Sequence, residues 1–403
     1  MTTSSALQNL TAAEAEDFLQ LLADGVPPHN EVTRWLTVGQ EEIINGFGSR
    51  LEEVAGGGFE TLLLLGDPGA GKSHLLATLE QLALEHGFAT SFFSQDPQSR
   101  VAFNRPDQIY KKLIESLRLP ETGEDSIDPL QEVLDKWAIM ATPALQSTGR
   151  NMALAYKLAE MGLIPNAKEV SVRTRIALIG YLLASQHDED EGRTTFLNVL
   201  RGPGVSNTEL IVTANSLDFS YPYSLGYTPS IYDVEYYFGQ IRTLVFIIRS
   251  VGCEGLVTLF DEVTAVVNLN NSRSREKAYR VLNSLFFNEW HYEGLYTVFA
   301  YLPAFINQLR EDRYLSSGDL VQKWSSLWQE NMKQVAALDS HDMLELAERL
   351  AEIHNIAWKW EAWPESANTA RAWIRDCEWA GYSPRDFVRG LLQRLDQLRD
   401  TKL

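Results

Sequence analysis

The stretch that decides the fold is Phe59-Glu-Thr-Leu-Leu-Leu-Leu65, followed without a break by Gly66-Asp-Pro-Gly-Ala-Gly-Lys-Ser73. Its continuous apolar run predicts a strand buried on both faces, as in the middle of a parallel sheet. A helix is predicted over His74 to His86, and Gly87-Phe-Ala-Thr-Ser-Phe-Phe93 reads as the next strand, completing a βαβ unit. Between strand and helix the eight residues fit G-x-x-x-x-G-K-S, and each fixed position has a physical task. The glycines let successive N–H groups turn inward and let the chain approach phosphates closely. The helix that follows adds its dipole and its unpaired N–H donors. Lys72 places a point charge between the β- and γ-phosphates, and Ser73 offers a hydroxyl to Mg²⁺. The candidate nucleotide-binding set is therefore Gly66, Asp67, Pro68, Gly69, Ala70, Gly71, Lys72 and Ser73. His74 joins it, either touching phosphate or merely capping the helix.

A phosphate cradle needs carboxylates to hold the metal and orient a water. Gly255-Leu-Val-Thr-Leu-Phe260 is an apolar strand that delivers Asp261 and Glu262 at its carboxyl end. Asp261 is expected to share Mg²⁺ with Ser73, and Glu262 to polarise the attacking water, so Glu262 and Lys72 are the candidate catalytic residues. Taken alone, the same residues would be a strand ending in a solvated acidic turn.

Working outward, a glycine triplet at Gly56 to Gly58 opens the first strand and closes a helix-like EEIINGFGSRLEEV. An amphipathic helix candidate, Ala12 to Ala23, ends at the breaker Gly25-Val-Pro-Pro28. Downstream, a helix candidate from Ile231 to Val251 precedes the acidic strand, and Ser274 to Asn288 follows it. A last strand, Leu295 to Tyr301, is stopped by Pro303, and the tail from Ser340 reads as helices broken near Pro364 and Pro384. No internal repeat is present. The chain divides into an N-terminal helical segment (1–30), a first part of an ATPase core (31–106), a mainly helical insertion (107–228), the rest of the core (229–335) and a C-terminal helical lid (336–403). The fold class is α/β, a P-loop parallel sheet flanked by helices.

Composition bounds the function. Thirty-five Lys and Arg against 54 Asp and Glu give a net charge of −19 over 403 residues. Such a surface disfavours broad nucleic-acid binding, although a local basic groove stays compatible with it. No apolar run approaches the length of a membrane helix, and the N-terminus shows no secretory pattern, so a cytoplasmic protein is expected. Two cysteines, Cys253 and Cys377, exclude a disulfide scaffold, and seven scattered histidines show no zinc spacing. Seven of the ten tryptophans fall between Trp324 and Trp379. They pack a small helical unit or form a partner or base-stacking face.

With these motifs in view, the chain resembles the AAA+ P-loop ATPases. More narrowly it resembles the BrxD-like ATP-binding proteins of bacterial BREX phage-defence operons. The carriers are Thr37-Val-Gly-Gln-Glu-Glu42, Gly66 to Ser73 and Gly255 to Glu262, with weaker echoes at Phe299 to Phe305, Leu344 to Leu350 and Ser383-Pro-Arg-Asp-Phe387. The resemblance implies ATP and Mg²⁺ as ligands and antiphage defence as the setting. It also implies other proteins of a defence complex as partners, with no membrane and with self-assembly left open. Val38 and Gly39 would then lie by the adenine, unless they are an ordinary turn. Arg385 would reach the γ-phosphate as a sensor, unless it is a surface arginine behind a Ser-Pro cap.

Two departures stand out. The position where such a strand ends in a polar γ-phosphate sensor falls at Tyr301 and Leu302, and leucine cannot hydrogen-bond. The long interval between Lys72 and Asp261 exceeds a compact core and is filled by the insertion. Should the chain assemble in rings, an arginine finger is expected; among Arg273, Arg275, Arg280, Arg310 and Arg313 the last two are preferred, each being otherwise a solvated charge. Beside an ATPase that couples nucleotide state to partners stand two rivals: a DNA-remodelling or loader ATPase, and a nucleotide-dependent scaffold with little hydrolysis.

Overall fold

A computed structural model describes residues 5–93, 102–120, 126–148, 153–187, 189–202, 204–219, 225, 228–261, 263–266, 269, 271–305, 307, 319–361 and 365–401. Six strands form one sheet: β1 (Phe59–Leu65), β2 (Ala89–Phe93), β3 (Leu117–Arg118), β4 (Leu256–Phe260), β5 (Leu295–Tyr301) and β6 (Met332–Gln334), in the spatial order β3-β2-β4-β5-β1-β6. All neighbours are parallel except β3, which adds two antiparallel residues to β2 at the edge. The sequence marks neither β3 nor β6, because two or three residues are too short for any periodicity to register.

The strands bury alternate residues on opposite faces, as the pleat requires. Leu62 and Leu64 of β1, with Val257, Leu259 and Val298, meet the helices Glu41–Ala55 and Lys72–Glu85. Leu63, Leu256, Phe260, Leu295 and Phe299 face the other way, into a core shared with Val234–Ser250, Ser272–Phe286 and the helices of the long interval. The insertion is thus continuous with one side of the sheet. Its hub is Val172–His187, apolar nearly all round and enclosed by its neighbours.

A second body sits apart from these layers. The helix Ala12–Asp24 and residues Val32 to Val38 share one core with Ser340–Trp358, Glu365–Ala380 and Pro384–Asp400. The sequence divides the chain at 30 and at 336, yet its two ends pack as one unit. Amphipathic faces such as Phe18, Leu19 and Leu22 show that a partner is needed, not which one. Most of the described tryptophans pack within cores: Trp324 donates to Asn283, Trp360 donates to His354, and Trp373 lies under Arg394. Trp379 is 92% exposed.

The connection leaving β1 crosses one face toward β2, whereas the one leaving β5 crosses the other face toward β6. Ligands of open α/β sheets bind where adjacent strands send their chains in opposite directions, at the carboxyl ends. That crevice lies between β1 and β5.

The helix Lys72–Glu85 is anchored from below by Glu80, whose side chain is fully buried. Its carboxylate lies 2.5 Å from His29 Nδ1 and 3.1 Å from Arg118 Nη1, and accepts from Thr90 Oγ1 at 3.1 Å. Removing a buried carboxylate leaves Arg118 beside an empty site. Glu80→Ala is therefore expected to lower stability by about 3–5 kcal/mol, with Glu80→Gln milder. Urea unfolding followed by circular dichroism checks this.

Candidate functional site

The loop 66–71 leaves β1 at the crevice. Gly66 N–H donates to Tyr301 O at 3.4 Å, and Ala70 N–H to Asp67 O at 3.1 Å. Gly69 (φ +79°) and Gly71 (φ +92°) are left-handed, a region that other residues enter only with strain, and the side of Gly71 where a Cβ would stand is open. The helix begins at Lys72, two residues before the sequence places it, so His74 is not its cap.

Lys72 is 7% exposed, and its ammonium donates to Gly66 O at 2.8 Å and Asp67 O at 2.9 Å. It therefore sits inside the loop's own bend. Ser73 Oγ donates to Asp261 Oδ2 at 2.7 Å, bringing the two motifs into contact. Asp261 is fixed in turn by its N–H, which donates to Phe93 O at 3.0 Å. Burial pushes the Asp261 carboxyl above its usual range, opposed by the Ser73 hydroxyl and the positive charges of Lys72 and Arg385. A cation placed there would reverse that shift.

A cavity of about 400 Å³ opens between the sheet edge and the second body, within the range of small-molecule sites. One end is polar: residues 68–73, Asp261 and Arg385. The other end is apolar, with Leu22, Leu36, Val38, Leu338, Leu346 and Val388. Val38 thus reaches the cavity. Gly39 (φ +69°) does not, because it backs onto the Asp342 carboxylate, which would lie 2.6 Å from a Cβ there. Arg385 N–H donates to Gly69 O at 3.4 Å, and a methyl on Gly69 would lie 2.7 Å from Ser383 Oγ. The Ser383 end of the last helix therefore rests on the glycine-rich loop. That helix is tied to the N-terminal one by Arg389, which donates to Ala23 O at 2.7 Å and Asp24 O at 2.9 Å.

Leu302 lines the cavity, while Tyr301 turns into the sheet-side core, where its hydroxyl has no hydrogen-bond partner among the described residues. Neither presents a polar side-chain atom to the crevice. Glu262, Arg310 and Arg313 lie outside the described residues. Arg275 donates to Leu269 O and Arg280 to Glu276, whereas Arg273 is exposed. The apolar end of the cavity escapes sequence reasoning because its residues come from four separate helices and connecting segments, each apolar for ordinary packing reasons.

His74 lines the cavity wall, and its Nε2 lies 2.9 Å from Thr37 Oγ1. Loss of water around the ring lowers its pKa to about 4. The folded state therefore holds His74 neutral, while the unfolded chain takes up a proton below about 6.5. Its contribution to stability is full above that value and falls as pH drops toward 4, by at most about 3 kcal/mol. His74→Gln is expected to flatten the fall in unfolding midpoint between pH 6.5 and 4, measured by denaturation at half-unit steps.

No curated protein and no solved structure matches the chain. Residues 10–402 match the family described as BREX system ATP-binding protein BrxC/D, which spans the glycine-rich loop, Asp261 and Arg385 alike. A match over nearly the whole length, on a chain whose glycine-rich loop and Asp261 meet in one crevice, places it: the chain belongs to the BREX system ATP-binding protein BrxC/D family.

Proposed function

We propose that the cavity binds ATP with Mg²⁺ and that the chain hydrolyses it, as a P-loop ATPase of AAA+ type serving bacterial antiphage defence. The observation that carries this is the 2.7 Å hydrogen bond from Ser73 to Asp261 across β5. The two oxygens that would share a metal already meet at the start of the helix that follows the glycine-rich loop, where an anion is favoured. The sheet order and the crevice between β1 and β5 support the same reading.

The residues suit Mg²⁺. Among the described residues no cluster of three or more His, Cys, Asp or Glu side chains gathers, and Mg²⁺ is ordinarily held by one or two protein oxygens with phosphate and water completing the shell. Ser73 and Asp261 would hold it, and when bound it would neutralise charge on the β- and γ-phosphates. Lys72 would exchange its two carbonyl contacts for phosphate oxygens. The loop N–H groups would cradle the triphosphate, with Arg385 at its outer end and the base among Leu36, Val38 and Leu346. Glu262, next along the chain from Asp261, would take the proton of the attacking water. Because Ser383 and Arg385 rest on Gly69, the C-terminal helices act as a lid whose position follows the nucleotide. That coupling would signal to other proteins of the defence complex. No described helix is long and apolar enough to cross a membrane, consistent with work in the cytoplasm.

One observation favours a second reading, a nucleotide-held switch with little turnover: Leu302 faces the cavity where a polar sensor would help position water.

The experiment is ATP binding and turnover on the full chain. Lys72→Ala is expected to weaken ATP binding by about 10- to 100-fold or more, and Asp261→Asn to remove its Mg²⁺ dependence. Glu262→Gln should keep binding while slowing release of phosphate by about 100- to 10,000-fold. Parental turnover in Glu262→Gln would overturn the catalytic assignment. Tight, Lys72-dependent binding with no turnover in the parent would select the switch.

A further inference from the structure

The chain is acidic, yet the first nine residues of the helix Ser272–Phe286, Ser-Arg-Ser-Arg-Glu-Lys-Ala-Tyr-Arg280, carry four cations and one acid. Arg273, Lys277 and Arg280 stand at i, i+4 and i+7, so they share one face, and all three are exposed. The opposite face, with Ala278, Tyr279 and Leu282, is buried against the sheet-side core. Two other segments bring matching chemistry to this stripe. Lys277 Nζ lies 3.8 Å from the centre of the Tyr232 ring, and the Arg105 guanidinium lies 5.7 Å from the same ring. Tyr232 is 45% exposed.

We infer that this face contacts nucleic acid through its phosphate backbone, with Tyr232 as a stacking surface for an unpaired base. The nearby acids are engaged: Asp107 with Arg105, Asp233 with the N–H of Tyr236, and Glu276 with Arg280. The cations span about 10 Å of helix, enough to face roughly three phosphates of one strand. At physiological salt, charge beyond about 8 Å is largely screened, so the stripe rather than the net −19 sets the local field. Lys277 and Arg105 lie over this ring, which still presents part of its area to solvent, and an aromatic ring combined with cations is the pairing by which single strands are gripped without sequence preference. A duplex would use the cations alone. The stripe lies at the start of the helix that follows β4 and precedes β5.

The test is fluorescence anisotropy of a labelled oligothymidine and of a duplex of equal length with the full chain, without nucleotide, at 50, 100 and 200 mM salt. Measured this way it is independent of ATP chemistry. Binding that weakens with salt is expected. R273A/K277A/R280A should flatten the salt slope by about 2 to 3 and weaken low-salt binding at least tenfold. Tyr232→Ala should weaken the single strand more than the duplex. R371A/R375A, which removes exposed charge from the helix Glu365–Ala380, should bind as the parent, and so should the charge-preserving R273K/R280K. Unfolding midpoints equal to the parent's exclude a folding defect. Absence of binding at 50 mM, a triple variant that binds like the parent, or an equal loss in R371A/R375A overturns the inference; an acidic protein face would then be the contact.

Discussion

Everything at the crevice depends on one hydrogen bond between residues far apart in the chain, Ser73 to Asp261. It forms because β1, β5 and β4 run parallel in a shared register, with Leu65 opposite Tyr301 and Phe260 opposite Phe299. Parallel alignment puts the carboxyl ends of all three strands on one edge. The loop after β1 and the acid after β4 then have a single strand between them. Hydroxyl and carboxylate meet there through two short side chains, while the Lys72 ammonium is held by carbonyls of the loop itself. The same alignment explains the raised Asp261 pKa: burial at a partly enclosed edge outweighs the Ser73 hydroxyl and the nearby positive charges that oppose it.

Across this edge lies the second body, with its own apolar core built from both ends of the chain. One glycine permits the close approach: Gly69 admits Ser383. Within the second body Gly39 likewise admits Asp342 and Gly25 admits Arg385, and all three are left-handed, with a neighbour at a distance a methyl group would contest. The cavity is therefore a seam between two cores. A seam can open or close without breaking either core, whereas a pocket cut into one core cannot. Under the proposed function, this is how ligand binding at the loop would shift the C-terminal helices.

The insertion has a different character. Its helices complete the cover over one face of the sheet, and the hub Val172–His187, apolar nearly all round, depends on its neighbours to bury it. Length between Lys72 and Asp261 is thus structural material for one face of the sheet as well as added surface, and the charged helix Ser272–Phe286 belongs to that same face.

The sequence by itself determined the parts whose chemistry is local. The run 59–73 carries its strand, its loop and its helix within a few residues. The Leu256–Asp261 strand reads as buried for the same reason, and Ser383-Pro-Arg-Asp marks a helix start through its capping box. Tertiary structure alone decided the partnerships. Which apolar faces pair is invisible locally, because Phe18, Leu22 and Val388 carry the same signal whatever they pack against. The edge strands β3 and β6 were beyond reach because pairing to a neighbour, rather than propensity, makes them strands. The roles of His74 and Gly39 were set by what the fold laid beside them, Thr37 and Asp342, for a side chain's chemistry is fixed by its residue type but its partner only by packing.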